Sequence, residues 1–448
     1  MSDDQRMLAE ALRRLQSGDR TGAVEIAQRL RNSGDAAARA SMVIGIARRE
    51  EARLDESLFA LERAAQRAPE DHAIAYELGR TLEALKRWGP ARTAYLRAAR
   101  LRPSFAPAHR GAAAASVAVA DFAMAEREYA AAADSAPHEP GLFQLLAQVQ
   151  LLRGHLEAGW RSYARRPQRR AYEQHFAQLG LRYEPPALRQ LAGRRVVILG
   201  EQGLGDNLFF LRYARALAGV AASIEYVGDA RLIGLLARSD AFTRLHSDKI
   251  PVDLAGAVPV LLGDLPVLDA ALALAHPPSL AIAPAPDATA RVRARLEAAG
   301  PRPWTAVTWR AGVAPETGHL AKQVPIEPLF ETLRPARGTV IALQRAPAPD
   351  ELARAHAALG RTLHDFCAMN ADLEEALALV SLVDRHVAVS NTNVHLAAAA
   401  GASVEVLVPF PPEWRWGLEG ASPWFPAMRV HRQQAGGDWG GALQRLGA

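Results

Sequence analysis

The sequence predicts an α-helical repeat solenoid over residues 1–180, followed by an α/β region in two lobes at 190–300 and 301–448. Three observations carry that expectation. Proline recurs at 69, 103 and 137, a spacing of 34 each time. A four-residue apolar run, Val196 to Leu199, is followed by glycines at 200, 203 and 205 and a helical pattern from Asp206. Beyond it, short β-branched runs alternate with amphipathic stretches, the pattern of βαβ units around parallel sheets.

The 34-residue period is that of tetratricopeptide repeats, which are stacked helix pairs. Residues 72–105 carry Leu78-Gly79, Leu82, Ala91, Tyr95, Ala98 and Pro103 at the packing positions of such a repeat. One period later Ala125, Tyr129, Ala132 and Pro137 fill the same slots; one period earlier Gly45, Ser57, Leu61, Ala64 and Pro69 do so. Ala23 and Leu30 mark a degenerate first repeat, and Gly159 and Tyr163 a closing one. Small residues let two helices approach, and the proline ends the second. Such a solenoid offers a groove for a protein or peptide partner, or serves self-association into a homo-oligomer. The segment Glu184-Pro185-Pro186 reads as a linker.

Composition narrows the class. A net charge of +5 comes from an Arg-rich chain with lysine only at 86, 249 and 322, and no dense basic block points to nucleic acid. One cysteine, Cys367, rules out an internal disulfide and fits a reducing compartment. The opening MSDDQRMLAEALRRL is acidic and then amphipathic, unlike a signal peptide. Asp264, Pro266 and Asp269 interrupt the longest apolar region, so no integral membrane segment is expected. A cytoplasmic protein is the expectation.

In the first lobe the glycines read GxxGxG rather than GxGxxG, which argues against NAD. Asp206 either caps the helix that follows or points into a cleft and does chemistry. Strands are expected at 223–227, 305–309, 339–343, 387–389 and 404–408, with helices at 229–239, 287–299, 326–333, 350–359, 373–382 and 394–400; residues 240–285 give no clear elements. Two such sets suggest two Rossmann-like lobes facing a cleft, with ligands outside the carboxyl ends of the strands. Those positions hold Arg310, Gln344, Arg345 and the run Ser390, Asn391, Thr392, Asn393, just before His395; Lys322 lies on the same connection as Arg310. A helix start flanked by Arg and Lys suits a diphosphate. The alternative is a capping run at 390–393, with Arg310 paired to a surface carboxylate. There is no DxD pair, no close histidine pair, no GxSxG elbow and no GxxxxGK[ST] loop, so no metal is expected.

The runs GEQGLGDNLFFLRYARAL and SNTNVHLAAAAG and the tail PFPPEWRWGLEGASPWFPAMRVHRQQAGGDW resemble bacterial tetratricopeptide-repeat glycosyltransferases. Their catalytic part is similar to the lipopolysaccharide heptosyltransferases and, more distantly, to the protein O-GlcNAc transferases. The resemblance is most specific at 198–213 and 409–439. It implies a GT-B fold whose first lobe binds acceptor and whose second binds a nucleotide sugar as substrate, with neither metal nor cofactor. On it, Asp206 matches the general base, and Glu201, Gln202, Gly203 and Gly205 form the acceptor-side loop. Lys322 stands where a lysine meets the diphosphate, and Arg310, Gln344, Ser390, Asn391, Thr392, Asn393 and His395 fall to the nucleotide sugar. Asn391 stands where the related loop often has aspartate. For the aromatic tail, packing between lobes is favoured over a sugar-stacking platform. The expected function is metal-independent sugar transfer to a protein presented by the repeats. The alternatives are transfer to a lipid-linked glycan, or an adaptor with a degenerate transferase half.

Overall fold

A computed structural model describes residues 2–34, 36–178, 180–201, 203–312 and 322–447. The chain divides into two compact units, Met1–Leu146 and Ala147–Ala448.

The first unit consists of helix pairs: Asp3–Gln16 with Arg20–Arg29, Ala36–Glu50 with Leu54–Arg67, His72–Ala84 with Trp88–Leu101, and Ala106–Ala118 with Phe122–Ser135. The second helix of each pair begins 34 residues after the last, at Arg20, Leu54, Trp88 and Phe122, and Leu156–Tyr163 continues the series. This is the helix-pair architecture that the proline period predicts. Its close contacts explain the small residues. Tyr95 is buried between Gly79 and Gly111, where an added methyl would come within 2.6 and 2.7 Å of its ring.

The turn within each pair repeats as well. Gly18, Ala52, Lys86, Ala120 and Gly154, again 34 apart, all have positive φ, between 57° and 85°. Three of the five carry a side chain in a conformation that costs an L-residue roughly 1–2 kcal/mol. Glycine adopts it freely, at some cost in unfolded-state entropy. Lys86→Gly is therefore expected to stabilise the first unit, by up to about 1 kcal/mol, read as a higher urea midpoint. A lower midpoint would show that the Lys86 side chain contributes more than its backbone strain costs.

The second unit begins inside helix Pro140–Leu152 and continues through Leu156–Tyr163 and Pro167–Gln178. The boundary thus falls well before residue 180, where the repeat pattern puts it. Trp160 supplies the reason. Its buried ring makes edge-on contacts with Phe210, Tyr213, Trp414 and Trp424, centroids 5.4–6.4 Å apart, so the closing repeat packs as part of the α/β unit.

Two parallel sheets follow. The first has β1 (Arg195–Leu199), β2 (Ser223–Gly228), β3 (Arg244–Ser247) and β4 (Ala257–Leu261), in the order β3-β2-β1-β4. The second has β5 (Trp304–Thr308), β6 (Thr339–Ala342), β7 (Leu363–Asp365), β8 (Arg385–Val389), β9 (Glu405–Val408) and β10 (Arg429–Arg432), in the order β10-β9-β8-β5-β6-β7. Each sheet grows outward in both directions from its first strand. That topology leaves a crevice outside the carboxyl ends of β1 and β4, and another outside β5 and β8. The central strands are buried on both faces: β5 and β6 have no exposed residue, and β1 and β8 are buried in their middles. Helices Ile326–Thr332 and Gly440–Gly447 share a core with β5, β6 and β8 through Leu329, Phe330 and Leu443. Among the described residues no helix is long and apolar enough to cross a membrane.

Candidate functional site

At the first crevice the chain leaves β1 at Gly200-Glu201 and β4 at Leu262-Gly263-Asp264. Both carboxylates are buried, and both pair with the fully buried Arg166. Arg166 donates through Nε to Glu201 at 3.0 Å and through Nη1 to Asp264 at 2.7 Å. Gly263 N–H also donates to Glu201, at 2.6 Å, and the Tyr183 hydroxyl to Asp264, at 2.9 Å. Burial alone would depress the Arg166 guanidinium; the charges of Asp264 and Glu201 overcome this and raise it. Glu201 is thus tied to the end of β4 and to Arg166 by its own bonds. Gln202 lies outside the described residues.

The next helix, Leu204–Phe210, starts two residues before the expected Asp206 and has Gly203 as its N-cap, with no side-chain cap. Asp206 therefore does not cap it. Its carboxylate lies in the first turn and accepts from Arg415 Nη2 at 2.5 Å. Gly205 has a packing role: a methyl there would come 2.9 Å from the His395 ring and 3.7 Å from Thr392 Cα. Only glycine lets the first-lobe helix approach the helix after β8 this closely.

At the second crevice, Ser390 and Asn391 follow β8, and Asn391 caps helix Thr392–Ala399 by accepting from Val394 N–H at 3.3 Å. Asn393 donates to Asn370 at 2.9 Å, behind the helix start. His395 is buried, with edge-on ring contacts to Phe209 and Phe425. Burial, reinforced by the Arg415 charge, pushes it well below its ordinary pKa, so its imidazole is neutral at pH 7.

Arg310 and Gln344 belong to the framework. Arg310 is buried and forms a two-pronged pair with Glu351, both bonds 2.8 Å, and its other donors reach the carbonyls of Gly312 and Ala346. Gln344 is fully buried and accepts from the N–H of Arg310 and of Trp309. Arg310 thus makes an ion pair, but with a buried carboxylate rather than the surface one expected. Gln323 bridges antiparallel to Arg310, which brings Lys322 beside the end of β5.

Four charged groups join the two crevices. Lys322 Nζ lies 2.7 Å from Glu413 Oε2, which also accepts from Ser390 Oγ at 3.2 Å. Arg415 bonds to Glu413 Oε1 through Nη1 and to Asp206 through Nη2. Burial alone would raise the Glu413 carboxyl; Lys322 and Arg415 outweigh it and hold it well below the usual carboxylate range. The outer members are the open ones: Lys322 is 35% and Asp206 32% exposed, against 8% for Arg415.

Aromatic packing sets Arg415 in place. Its guanidinium lies 4.5 Å from the Phe209 ring centroid and 4.6 Å from that of Trp414. Beside it, buried Arg212 lies over the rings of Phe209 and Phe425 and donates to Phe209, Pro277 and Trp424 carbonyls. Burial lowers the Arg212 pKa to about 9. Trp414, Trp416, Trp424 and Phe425 are all buried, so the aromatic tail packs rather than offering a platform. Thus Asp206, Lys322 and Ser390 come together through Glu413 and Arg415, two residues to which the sequence assigned no role. Among the described residues no group of three or more His, Cys, Asp or Glu side chains is placed to hold a metal ion.

No protein-family model matches the chain. Protein FlbA of Caulobacter vibrioides is 25% identical over 379 residues, which cover 78% of this chain and 61% of that protein. The chain therefore spans about three fifths of that relative's length. Two crystal structures of MamA align to 39% and 41% of the chain and 98% of their own, with 12% and 14% identity and a TM-score of 0.34. Scores this low leave the fold argument with the repeat period and the strand order.

Proposed function

We propose that the second unit is a metal-independent glycosyltransferase of GT-B type, with the first lobe on the acceptor side and the second on the nucleotide-sugar side. The observation that carries the reading is the line from Asp206 to Lys322. A half-buried carboxylate at the first crevice and a half-buried ammonium at the second belong to one charge network, beside a helix start. In this reading Asp206 removes the proton of the acceptor hydroxyl as its oxygen attacks the anomeric carbon, and the sugar–phosphate bond breaks. Lys322 and the start of helix Thr392–Ala399 stabilise the departing nucleoside diphosphate. Ser390 and Thr392 lie nearest that group, while Arg310, Gln344, Asn393 and His395 shape the walls. The helix pairs of the first unit present a protein or peptide acceptor.

The commitment of Arg310 and Gln344 to internal bonds favours a second reading, a repeat adaptor whose α/β unit retains a ligand-binding crevice without transfer. Incubating the purified chain with a panel of nucleotide sugars separates the two. Release of a nucleoside diphosphate that requires both Asp206 and Lys322 supports transfer; no turnover of any donor supports the adaptor.

A further inference from the structure

Glu413 sits where three donors converge. The Lys322 ammonium and the Ser390 hydroxyl both reach Oε2, and Arg415 takes Oε1. An ammonium, a hydroxyl and a guanidinium around one anionic group at a helix start are the components of a phosphate site. Here that group is the protein's own carboxylate.

Charge counting shows what must happen when another anion arrives. Lys322 and Arg415 supply two positive charges, and Glu413 and Asp206 two negative ones, so the cluster is neutral as it stands. A phosphate placed on Lys322 with Glu413 still in position would put two anions on one ammonium in a half-buried site, where like charges repel strongly. Glu413 has an alternative partner in Arg415, which it already touches through its other oxygen. Lys322 is the most exposed of the four, so an anion can approach it from solvent.

We infer that Glu413 is a built-in competitor that occupies a pyrophosphate-class anion site formed by Lys322 and Ser390, and that a ligand phosphate binds by displacing Glu413 from Lys322 onto Arg415. The nucleotide part of such a ligand rests on the donor-site reading above; the anion part does not.

Titration calorimetry of the full chain with inorganic pyrophosphate, and separately with UDP, GDP and ADP, tests the inference. Glu413→Gln removes the competing charge and keeps the side-chain shape, and is expected to bind pyrophosphate at least tenfold more tightly than the wild type. Lys322→Met is expected to abolish that binding. Should Glu413→Gln fail to fold, Glu413→Asp retains the charge for Arg415 but draws it back from Lys322, and a several-fold gain is expected. Equal or weaker binding in a folded Glu413 variant overturns the inference, as does the absence of pyrophosphate binding in every form. Pyrophosphate binding with the expected ranking, but no preference for any nucleotide, upholds the inference and removes the nucleotide-sugar reading.

Discussion

Arg166→Ala is expected to destabilise the second unit by about 3–5 kcal/mol, the range for breaking a buried ion pair by removing one partner. The guanidinium is fully buried and faces two buried carboxylates, Glu201 at the end of β1 and Asp264 after β4. Without it two negative charges face each other in the first crevice. Glu201 keeps only the Gly263 N–H, and Asp264 keeps the Tyr183 hydroxyl and a longer ion pair with Arg169, 3.7 Å away. Unfolding in urea, followed by tryptophan fluorescence, reads the loss directly, because seven of the eight tryptophans lie in the second unit, at 160 or beyond. Arg166→Lys should recover only part of it, since one ammonium cannot reproduce the guanidinium's bonds to both acids. A loss below about 1 kcal/mol, the scale of an exposed pair, would mean that water reaches this crevice.

Asp206→Asn is expected to lower sugar transfer by roughly 10²–10⁴-fold, the contribution of a positioned general base. The amide oxygen can still accept from Arg415, so the Phe209–Trp414 packing around that guanidinium has no reason to change. Binding of the nucleoside diphosphate should stay within a few-fold of wild type, because Lys322 and Ser390 are untouched. Transfer rates and nucleotide affinity measured on the same preparation check both halves. Near-normal transfer would remove Asp206 from the chemistry and leave it as a partner for Arg415 alone.

Local pattern carried most of the fold. The 34-residue period reappears in helix starts and in the left-handed turn positions, and β1, β5 and β8 lie within two residues of their expected limits. Elements without a strong apolar signal escaped. β3 is half exposed, β4 contains Pro259, β7 has three residues, and β10 reads Arg-Val-His-Arg at the sheet edge. The site was legible where chain geometry alone decides it, at the strand ends and helix starts of the crevices. It was not legible where a partner lies far along the chain. The sequence leaves Arg310 open between a ligand contact and an ion pair, and its partner Glu351 stands 41 residues on. Arg415 meets Asp206 across 209 residues, and no spacing rule reaches that far. The PEWRW run marked the segment without its role, because Glu413 and Arg415 act through residues brought to them by the fold.

Thermal unfolding of the full chain with UDP, GDP, ADP and CMP, repeated with Lys322→Met, tests the transferase reading most directly. A ligand at 100 times its Kd stabilises the native state by about 2.7 kcal/mol. A raised melting temperature with one nucleoside diphosphate, little effect from CMP, and loss of the effect in Lys322→Met are expected. No shift with any nucleotide, or a shift that Lys322→Met retains, would contradict it.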